Sequence, residues 1–241
     1  MALFRNPWVV FLLPFIIYMV GTSSEPSAVM EATAAPHWTG LTAAHYPYVY
    51  AAKIVLTLAC VAAVWGGYPT LGKISPLAWG VGVVGVVLWI ALAHLQRVSG
   101  LNGVLAAVGM GGERPAFNPW EHYGDQPALL YCFLAVRFLG LAAVVPVIEE
   151  MFLRGFVMRY PIREDWWDVP WGTYAPSALA AGTILPMLLH PGEILAAAAW
   201  FGLVHWLYFR TRNVWDAVVA HGVTNLLLGI YVCAQGEWWL W

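Results

Sequence analysis

The stretch PVIEEMFLRG, residues 146–155, places two adjacent carboxylic acids and an arginine inside a mostly apolar segment that extends from residue 128 to residue 160. A charged side chain at the centre of a bilayer costs roughly 2.5–3.5 kcal/mol on insertion scales. Glu150 and Arg154 are four residues apart, so on a helix they share one face and can neutralise each other. Glu149 points about 100° away from that face. We therefore expect a membrane helix in which Glu149 is the acid available for chemistry.

The composition extends this interpretation to the whole chain. Of its 241 residues, 61% are hydrophobic and 10% are charged, whereas soluble domains carry about 25% charged residues. Apolar stretches of about 20 residues can cross a bilayer, where the backbone must form its own hydrogen bonds and therefore folds into helices. We predict an all-α, polytopic membrane helix bundle with about seven (seven or eight) transmembrane helices, near residues 8–21, 46–65, 76–96, 128–160, 174–190, 193–209 and 214–234.

The basic residues indicate which end of the bundle faces the cytoplasm, because cytoplasmic loops carry an excess of Lys and Arg. With the N-terminus inside, the cytoplasmic side contains Arg5, Lys73, Arg159, Arg163, Arg210 and Arg212, and the outer side contains Arg97 and Arg114. We therefore predict a cytoplasmic N-terminus. A cleaved signal peptide is the alternative for the first span, but no A-x-A site follows it, which favours an uncleaved helix.

The total charge and the cysteines argue against two classes of function. The formal net charge is −2, so nothing in the composition favours a nucleic-acid partner. Cys60, Cys132 and Cys233 lie in separate apolar stretches and form no CxxC pair. We interpret them as small packing residues rather than as disulfides or metal ligands.

Three histidines, His190, His205 and His221, lie in the last apolar stretches. His221 and Asn225 are four residues apart and share a helix face. A histidine and an amide on one face form a pair of hydrogen-bond donors that suits a developing oxyanion. Hydrogen bonding between helices is the alternative explanation for this pair, but its occurrence beside Glu149 favours a chemical role.

Other catalytic classes lack the residues that they need. No serine lies in the middle of a span beside a histidine, no pair of aspartates lies within the spans, and the helical zinc motif HExxH is absent. An internal repeat of the kind found in many transporters is also absent. The structural alternative for the two acids is a network with Arg137, which lies about 18 Å from Glu149 along the same helix and needs partners from another helix. The remaining candidate for catalysis is a carboxylate base with histidine and amide partners.

The order of these motifs resembles that of a known family. The chain contains Glu149-Glu150-x-x-x-Arg154, then His190, then His221-x-x-x-Asn225. This order resembles the CAAX protease and bacteriocin-processing family (CPBP, also called ABI) of intramembrane peptidases, over roughly residues 128–235. The ending AHGVTNLLLGIYVCAQGEWWLW, residues 220–241, further resembles a bacterial subgroup of CAAX prenyl protease-related proteins that is associated with exosortase and PEP-CTERM sorting systems.

The resemblance implies a role for each of these residues. Glu149 would be the general base that activates a water molecule, and His190 would help to hold that water. His221 and Asn225 would stabilise the tetrahedral oxyanion. The supporting residues would be Glu150 and Arg154.

The chain departs from the family at one position. The family's second motif is FxxxH, but Pro186 stands at the Phe position before His190, whereas a literal FxxxH occurs from Phe201 to His205. We prefer His190, because residues 200–225 resemble the family's last helical hairpin, in which the position of His205 is occupied by a small residue. His205 remains the alternative.

These observations lead to one functional prediction. Residues 1–127 would form three N-terminal transmembrane helices with two outer loops, 22–45 and 97–127, and residues 128–241 would form the catalytic core. The chain would be an endopeptidase of the bacterial cell (inner) membrane that needs no cofactor and cleaves a membrane-associated protein or peptide. The alternatives are a zinc-dependent version of the same protease, a non-catalytic partner or assembly factor of a protein-sorting system, and a transporter that uses the buried glutamate.

Overall fold

The computed structural model describes residues 3–26, 37–110 and 116–241, and within these ranges it contains helices and turns but no β-strand. The all-α fold class is therefore confirmed. Parts of the two predicted outer loops, residues 27–36 and 111–115, lie outside the described residues, and so does Arg114.

The helices begin where the sequence offers caps and prolines. In chain order they are α1 (Pro7–Ser23), α2 (Tyr46–Val64), α3 (Pro76–Val98), α4 (Leu101–Ala107), α5 (Pro119–Tyr123), α6 (Pro127–Leu139), a π segment (Gly140–Val144), α7 (Val145–Phe152), a second π segment (Leu153–Val157), α8 (Pro176–Leu189), α9 (Ile194–Thr211) and α10 (Val214–Gln235). Proline is favoured at the first position of a helix, where its missing N–H costs nothing. Asn6, Ser75 and Asn213 cap α1, α3 and α10 by accepting a hydrogen bond from the backbone two residues later.

Most of the predicted spans are long apolar helices. Five segments are long and apolar enough to cross a membrane, namely Ala43–Gly67, Pro76–Val98, Pro127–Val157, Pro191–Thr211 and Val214–Gln235. The shorter apolar helices α1 and α8 coincide with the other two predicted spans. At most half of each apolar window is buried inside the protein, which leaves an apolar exterior for lipid. The chain is an integral, multi-pass membrane protein.

One end of the bundle contains a cluster of packed aromatic side chains. There the start of α1 meets the loop that follows the long helix, with the rings of Trp8 and Trp166 5.7 Å apart. The backbone N–H of Ser75, before α3, donates to Asp216 of α10 at 2.9 Å. We call this the cation-rich end; it comprises residues 3–8, 65–76, 157–176 and 209–216, and it contains the six basic residues that the sequence assigns to the cytoplasm.

Arg159 fastens the loop at the cation-rich end. Its Nε donates to the carbonyl oxygen of Val169 at 2.9 Å, and its Nη2 donates to that of Trp167 at 2.7 Å. Burial lowers the pKa of Arg159 from its usual value. The guanidinium thereby satisfies backbone carbonyls that would otherwise be left unpaired in the loop.

We call the opposite end the mouth end; it comprises residues 22–26, 43–50, 94–107, 116–133, 189–195 and 235–241. There Gln96 at the end of α3 donates to the carbonyl oxygen of Pro191 at 3.1 Å. His94 pairs with Glu237 at 2.7 Å, beyond the end of α10. These contacts connect α3 to both neighbouring helices.

Helix α3 comes from the predicted N-terminal region but packs against α9 and α10. A Cβ atom at Gly82 would lie 2.8 Å from the carbonyl oxygen of Ala220, so glycine is needed for this close approach. The hydroxyl of Thr224 donates to the Gly82 carbonyl oxygen at 2.9 Å. The division at residue 127 stays a prediction, and α3 forms one wall of the site described next.

Candidate active site

A cavity of about 450 Å³ lies inside the bundle, and it brings together four predicted site residues from distant parts of the chain. These residues are Glu149, His190, His221 and Asn225. The other three predicted residues do not line this cavity; Glu150 and Arg154 are 0% exposed and His205 is 1% exposed. The structure therefore separates the predicted residues into a cavity wall and a buried layer behind it.

Glu150, Arg154 and His221 form the buried layer. Arg154 Nη1 lies 2.7 Å from Glu150 Oε2, as expected from their i, i+4 spacing. The other carboxylate oxygen, Glu150 Oε1, accepts a hydrogen bond from Nδ1 of His221 at 3.0 Å. Because Glu150 contacts a cation and an imidazole away from water, the three groups compensate one another and fix the orientation of His221.

Trp200 holds the other side of the His221 ring. The two ring centroids are 4.6 Å apart. Trp200 Nε1 donates to the hydroxyl of Thr224 at 3.1 Å, and that hydroxyl donates to the carbonyl oxygen of Gly82 on α3. Neither Trp200 nor Thr224 was identified from the sequence, because neither forms part of a motif; their roles depend on contacts between helices.

Glu149 lines the cavity beside His221. Its Oε2 is 3.9 Å from Nε2 of His221, and its side chain is 23% exposed. This separation is too long for a direct hydrogen bond. A water oxygen can bridge two atoms at this distance with hydrogen bonds of about 2.8 Å to each. The geometry therefore provides a place for a water molecule between a carboxylate and an imidazole nitrogen.

Asn225 contacts an irregular part of the long helix. The π segment Gly140–Val144 is followed by Pro146, which has no backbone N–H to offer to the preceding turn. The carbonyl oxygen of Leu141 instead accepts a hydrogen bond from Asn225 Nδ2 at 2.8 Å. Gly222 permits the approach, since a Cβ atom there would lie 2.7 Å from another carbonyl oxygen of the π segment. Asn225 keeps its second N–H for another acceptor.

His190 stands at the end of α8, where the chain turns into α9. Its Nδ1 donates to the carbonyl oxygen of Pro186 at 2.8 Å. The next two residues are held by Gln96, whose Nε2 donates to the carbonyl oxygens of Pro191 and Gly192 at 3.1 and 2.9 Å. Gln96 is 0% exposed. It therefore fixes the turn that presents His190 to the cavity, a function that its sequence context did not indicate.

His205 occupies a different place. It is packed inside the protein near Arg154 and Glu150, its Nδ1 donates to the carbonyl oxygen of Phe201, and its Nε2 has no hydrogen-bond partner among the described residues. The cavity that contains Glu149 is thus lined by His190 and not by His205. The catalytic role of His190 stays a prediction.

A second cavity of about 210 Å³ reaches the same two residues from the side. Its walls are largely apolar and come from α1, through Phe15 and Met19, and from α8, through Leu185 and Leu189. Glu149 and His190 line this cavity as well as the larger one. Glu149 and His190 therefore lie where the two cavities meet.

The residues present do not fit the zinc alternative as they are arranged. Among the residues that the structure describes, no group of three or more His, Cys, Asp or Glu could hold a metal ion, whereas catalytic zinc sites use three protein ligands. One oxygen of Glu150 contacts His221 and the other contacts the cationic Arg154. The absence of a cofactor nevertheless stays a prediction.

Part of the chain matches the model of a known protein family. Residues 131–227 match the family model described as type II CAAX prenyl endopeptidase Rce1-like. The match contains Glu149, His190, His221 and Asn225. No curated protein and no solved structure matches the chain.

Proposed function

We propose that this chain is an intramembrane endopeptidase with Glu149 as its general base, because residues 131–227 match the model of the Rce1-like type II CAAX prenyl endopeptidases. The observation that carries the proposal is the 3.9 Å separation of Glu149 Oε2 and His221 Nε2 inside a cavity within the membrane. A water molecule held between these two atoms stands next to both groups that can accept its proton.

The proposed reaction begins with that water. Glu149 takes one proton while the water oxygen attacks the carbonyl carbon of the peptide bond, and the carbonyl oxygen becomes an oxyanion. The second N–H of Asn225 donates to this oxyanion. His221 can add a donation from Nε2 when its ring is doubly protonated, because Nδ1–H is already engaged by Glu150. When the C–N bond breaks, the leaving nitrogen takes the proton back from Glu149.

The buried residues support this reaction without touching the substrate. Glu150 holds His221, and Arg154 balances the charge of Glu150. His190, anchored through Nδ1, lines the same cavity and helps to position the water or the peptide. We propose that the substrate is a membrane-associated protein or peptide, that the host membrane is the bacterial inner membrane, and that the chain acts in an exosortase-associated sorting system.

The function can be tested without knowing the substrate. Cells that express the Glu149→Ala variant should accumulate an uncleaved membrane peptide or protein that is absent from cells with the unchanged chain, as measured by mass spectrometry of membrane extracts. The matched control is Glu164→Ala, which removes an exposed acid at the cation-rich end and should accumulate nothing.

Two results would contradict the proposal. If the Glu149→Ala variant accumulates no uncleaved species while its amount in the membrane is normal, the chain is not a glutamate-dependent peptidase. If the variant supports protein sorting as well as the unchanged chain does, the non-catalytic partner is the better explanation. Zinc bound in a 1:1 ratio and lost together with activity on chelation would favour the metal-dependent alternative.

A further inference from the structure

Arg137 is a buried cation that contacts aromatic side chains. Its Nη1 donates to the hydroxyl of Tyr46 at 2.8 Å, and its guanidinium lies 4.7 Å from the ring centroid of Trp241 and 5.4 Å from that of Tyr50. The residue is 8% exposed, and its Nε has no hydrogen-bond partner. Among the described residues, no carboxylate forms an ion pair with it. A buried arginine is normally paired with an anion.

The π segment turns Arg137 into the active-site cavity. Arg137 precedes Glu149 by twelve residues, which in a regular α-helix leaves the two side chains about 120° apart. A π segment accommodates one extra residue in a turn and removes about 100° of that rotation. Arg137, Leu141, Val145 and Glu149 accordingly all line the same cavity. The guanidinium and the proposed general base therefore face one substrate space.

Among the described residues that line the cavity, Arg137 is the lysine or arginine with no carboxylate at ion-pair distance. Lys53 also lines the cavity, but its Nζ lies 2.5 Å from the carboxylate of Glu25. Arg137 adds a positive charge that this pair does not neutralise. The planar guanidinium is suited to bind a carboxylate through two parallel hydrogen bonds.

The cavity leads to the mouth end and is closed at the opposite end. From Glu149 and His221 it extends to Glu25, Lys53 and Trp241. Below Glu149, the cation-rich end is filled by Met151, Met158, Trp166 and Tyr208, which are at most 2% exposed. By the positive-inside rule the cation-rich end faces the cytoplasm. The mouth therefore faces the other side of the membrane.

We propose that Arg137 binds a carboxylate of the peptide substrate, and that the substrate enters from the mouth end, opposite the cation-rich end. Arg137 lies about 18 Å from Glu149 along the helix axis, a distance that about five extended residues cover. Since the cavity has the size of a pocket for one small ligand and is filled below Glu149, the substrate is a short peptide that lies inside it, with its terminal carboxylate at Arg137 and the cleaved bond deeper, at Glu149. The proposal rests on the proposed peptidase function only in naming a peptide as the carrier of this carboxylate.

The test compares two forms of one probe. The full-length Glu149→Gln variant, which cannot hydrolyse the probe under the proposed mechanism, is placed in phosphatidylcholine nanodiscs. It is exposed to a pool of apolar hexapeptides that carry an N-terminal photoreactive group, made once as free acids and once as carboxamides. We expect the free acids to cross-link about tenfold more than the amides, because hydrogen bonds between the guanidinium and a charged carboxylate are stronger than those to a neutral amide. The further change Arg137→Gln should remove this preference, and Arg137→Lys should keep part of it.

A charge-neutral control separates Arg137 from its surroundings. The double change Glu25→Gln and Lys53→Gln removes one positive and one negative group from the same wall, so the acid–amide ratio should stay unchanged. Equal cross-linking of acids and amides, or no cross-linking of either, would overturn the assignment of Arg137. Loss of acid binding when phosphatidylglycerol replaces phosphatidylcholine, in an Arg137-dependent manner, would assign the site to a lipid headgroup and also overturn the peptide assignment.

The side of access has its own measurement. In a cysteine-free background in intact cells, a membrane-impermeant maleimide should label Ser99→Cys at the mouth end and not Ser177→Cys, near the cation-rich end; both serines are exposed. The reverse pattern would overturn the access side. Failure of the peptidase function looks different: acids would still be captured through Arg137, but the unchanged chain would cleave nothing.

Discussion

Arg154 and Arg137 are both buried on the long helix Pro127–Val157, but their surroundings differ. Arg154 is 0% exposed and lies 2.7 Å from the carboxylate of Glu150. Arg137 is 8% exposed and contacts a tyrosine hydroxyl and aromatic rings instead. The first arginine belongs to a compensated network that orients His221, and the second lines the wall of the cavity. Arg154 is therefore committed to structure, whereas we propose that Arg137 is available to a ligand.

The largest effect is expected from Glu149, the acid that lines the inner end of the cavity. Glu149→Gln should lower turnover by at least about 10²–10⁴-fold, because it removes the general base. The variant should still insert into the membrane and purify, so that the loss can be assigned to turnover. Turnover of the substrate identified in the accumulation experiment is the measurement, with Glu164→Gln as control. Unchanged turnover in the Glu149→Gln variant would show that Glu149 is not the general base.

The two arginines should differ in what they contribute to stability. Arg154→Gln should cost about 3–5 kcal/mol in the free energy of unfolding, because it leaves the carboxylate of Glu150 buried without its cation. Arg137→Gln should cost less than this, because it removes a hydrogen bond and cation–π contacts but leaves no carboxylate buried without its cation. Unfolding in mixed micelles measures both variants. Equal losses would show that Arg137 has a structural ion pair after all.

Asn225 should stabilise the π segment by an intermediate amount. Asn225→Leu leaves the carbonyl oxygen of Leu141 buried without a donor, which should cost about 1–3 kcal/mol. Pro146→Ala returns a backbone N–H to the same turn, so the cost of Asn225→Leu should shrink in that background. A double-mutant cycle of unfolding free energies measures this coupling. Strictly additive costs would mean that Asn225 does not act through Leu141.

The smallest effect is expected at the rim of the mouth end. His94 and Glu237 are 41% and 27% exposed at their side chains, although they are 2.7 Å apart. Exposed ion pairs contribute about 0.2–1 kcal/mol, so Glu237→Gln should lower the unfolding free energy by no more than this. Thermal unfolding at low and high salt is the measurement. A loss of unfolding free energy comparable to that of Arg154→Gln would contradict the distinction between the buried pair at the inner end of the cavity and the exposed pair at the mouth end.

The sequence predicts the spans and the local pairs well, because both depend on residues that are neighbours along the chain. The apolar lengths give the helices, and the i, i+4 rule gives the contact between Glu150 and Arg154, which the structure contains at 2.7 Å. The same i, i+4 rule led us to predict Glu149 as the acid available for catalysis, and Glu149 lines the cavity.

The remaining features depend on which helices meet. The sequence does not indicate that His221 is the second partner of Glu150, that Trp200 holds the ring of His221, or that Gln96 holds the turn after His190. The π segments are also hidden, because a carbonyl oxygen in them is satisfied by Asn225 from another helix. Each of these contacts joins residues more than twenty positions apart, where periodicity carries no information.

Helix α8 has a consequence for the membrane around the protein. Its 14 residues extend about 21 Å, whereas the hydrocarbon core of a typical bilayer is about 30 Å thick. Lipids beside α8 must therefore compress, and this is where the lateral space between α1 and α8 leads to Glu149 and His190. We therefore expect acyl chain length to affect the proposed reaction, because a thicker membrane should strain the turn that presents His190 and a thinner one should relax it.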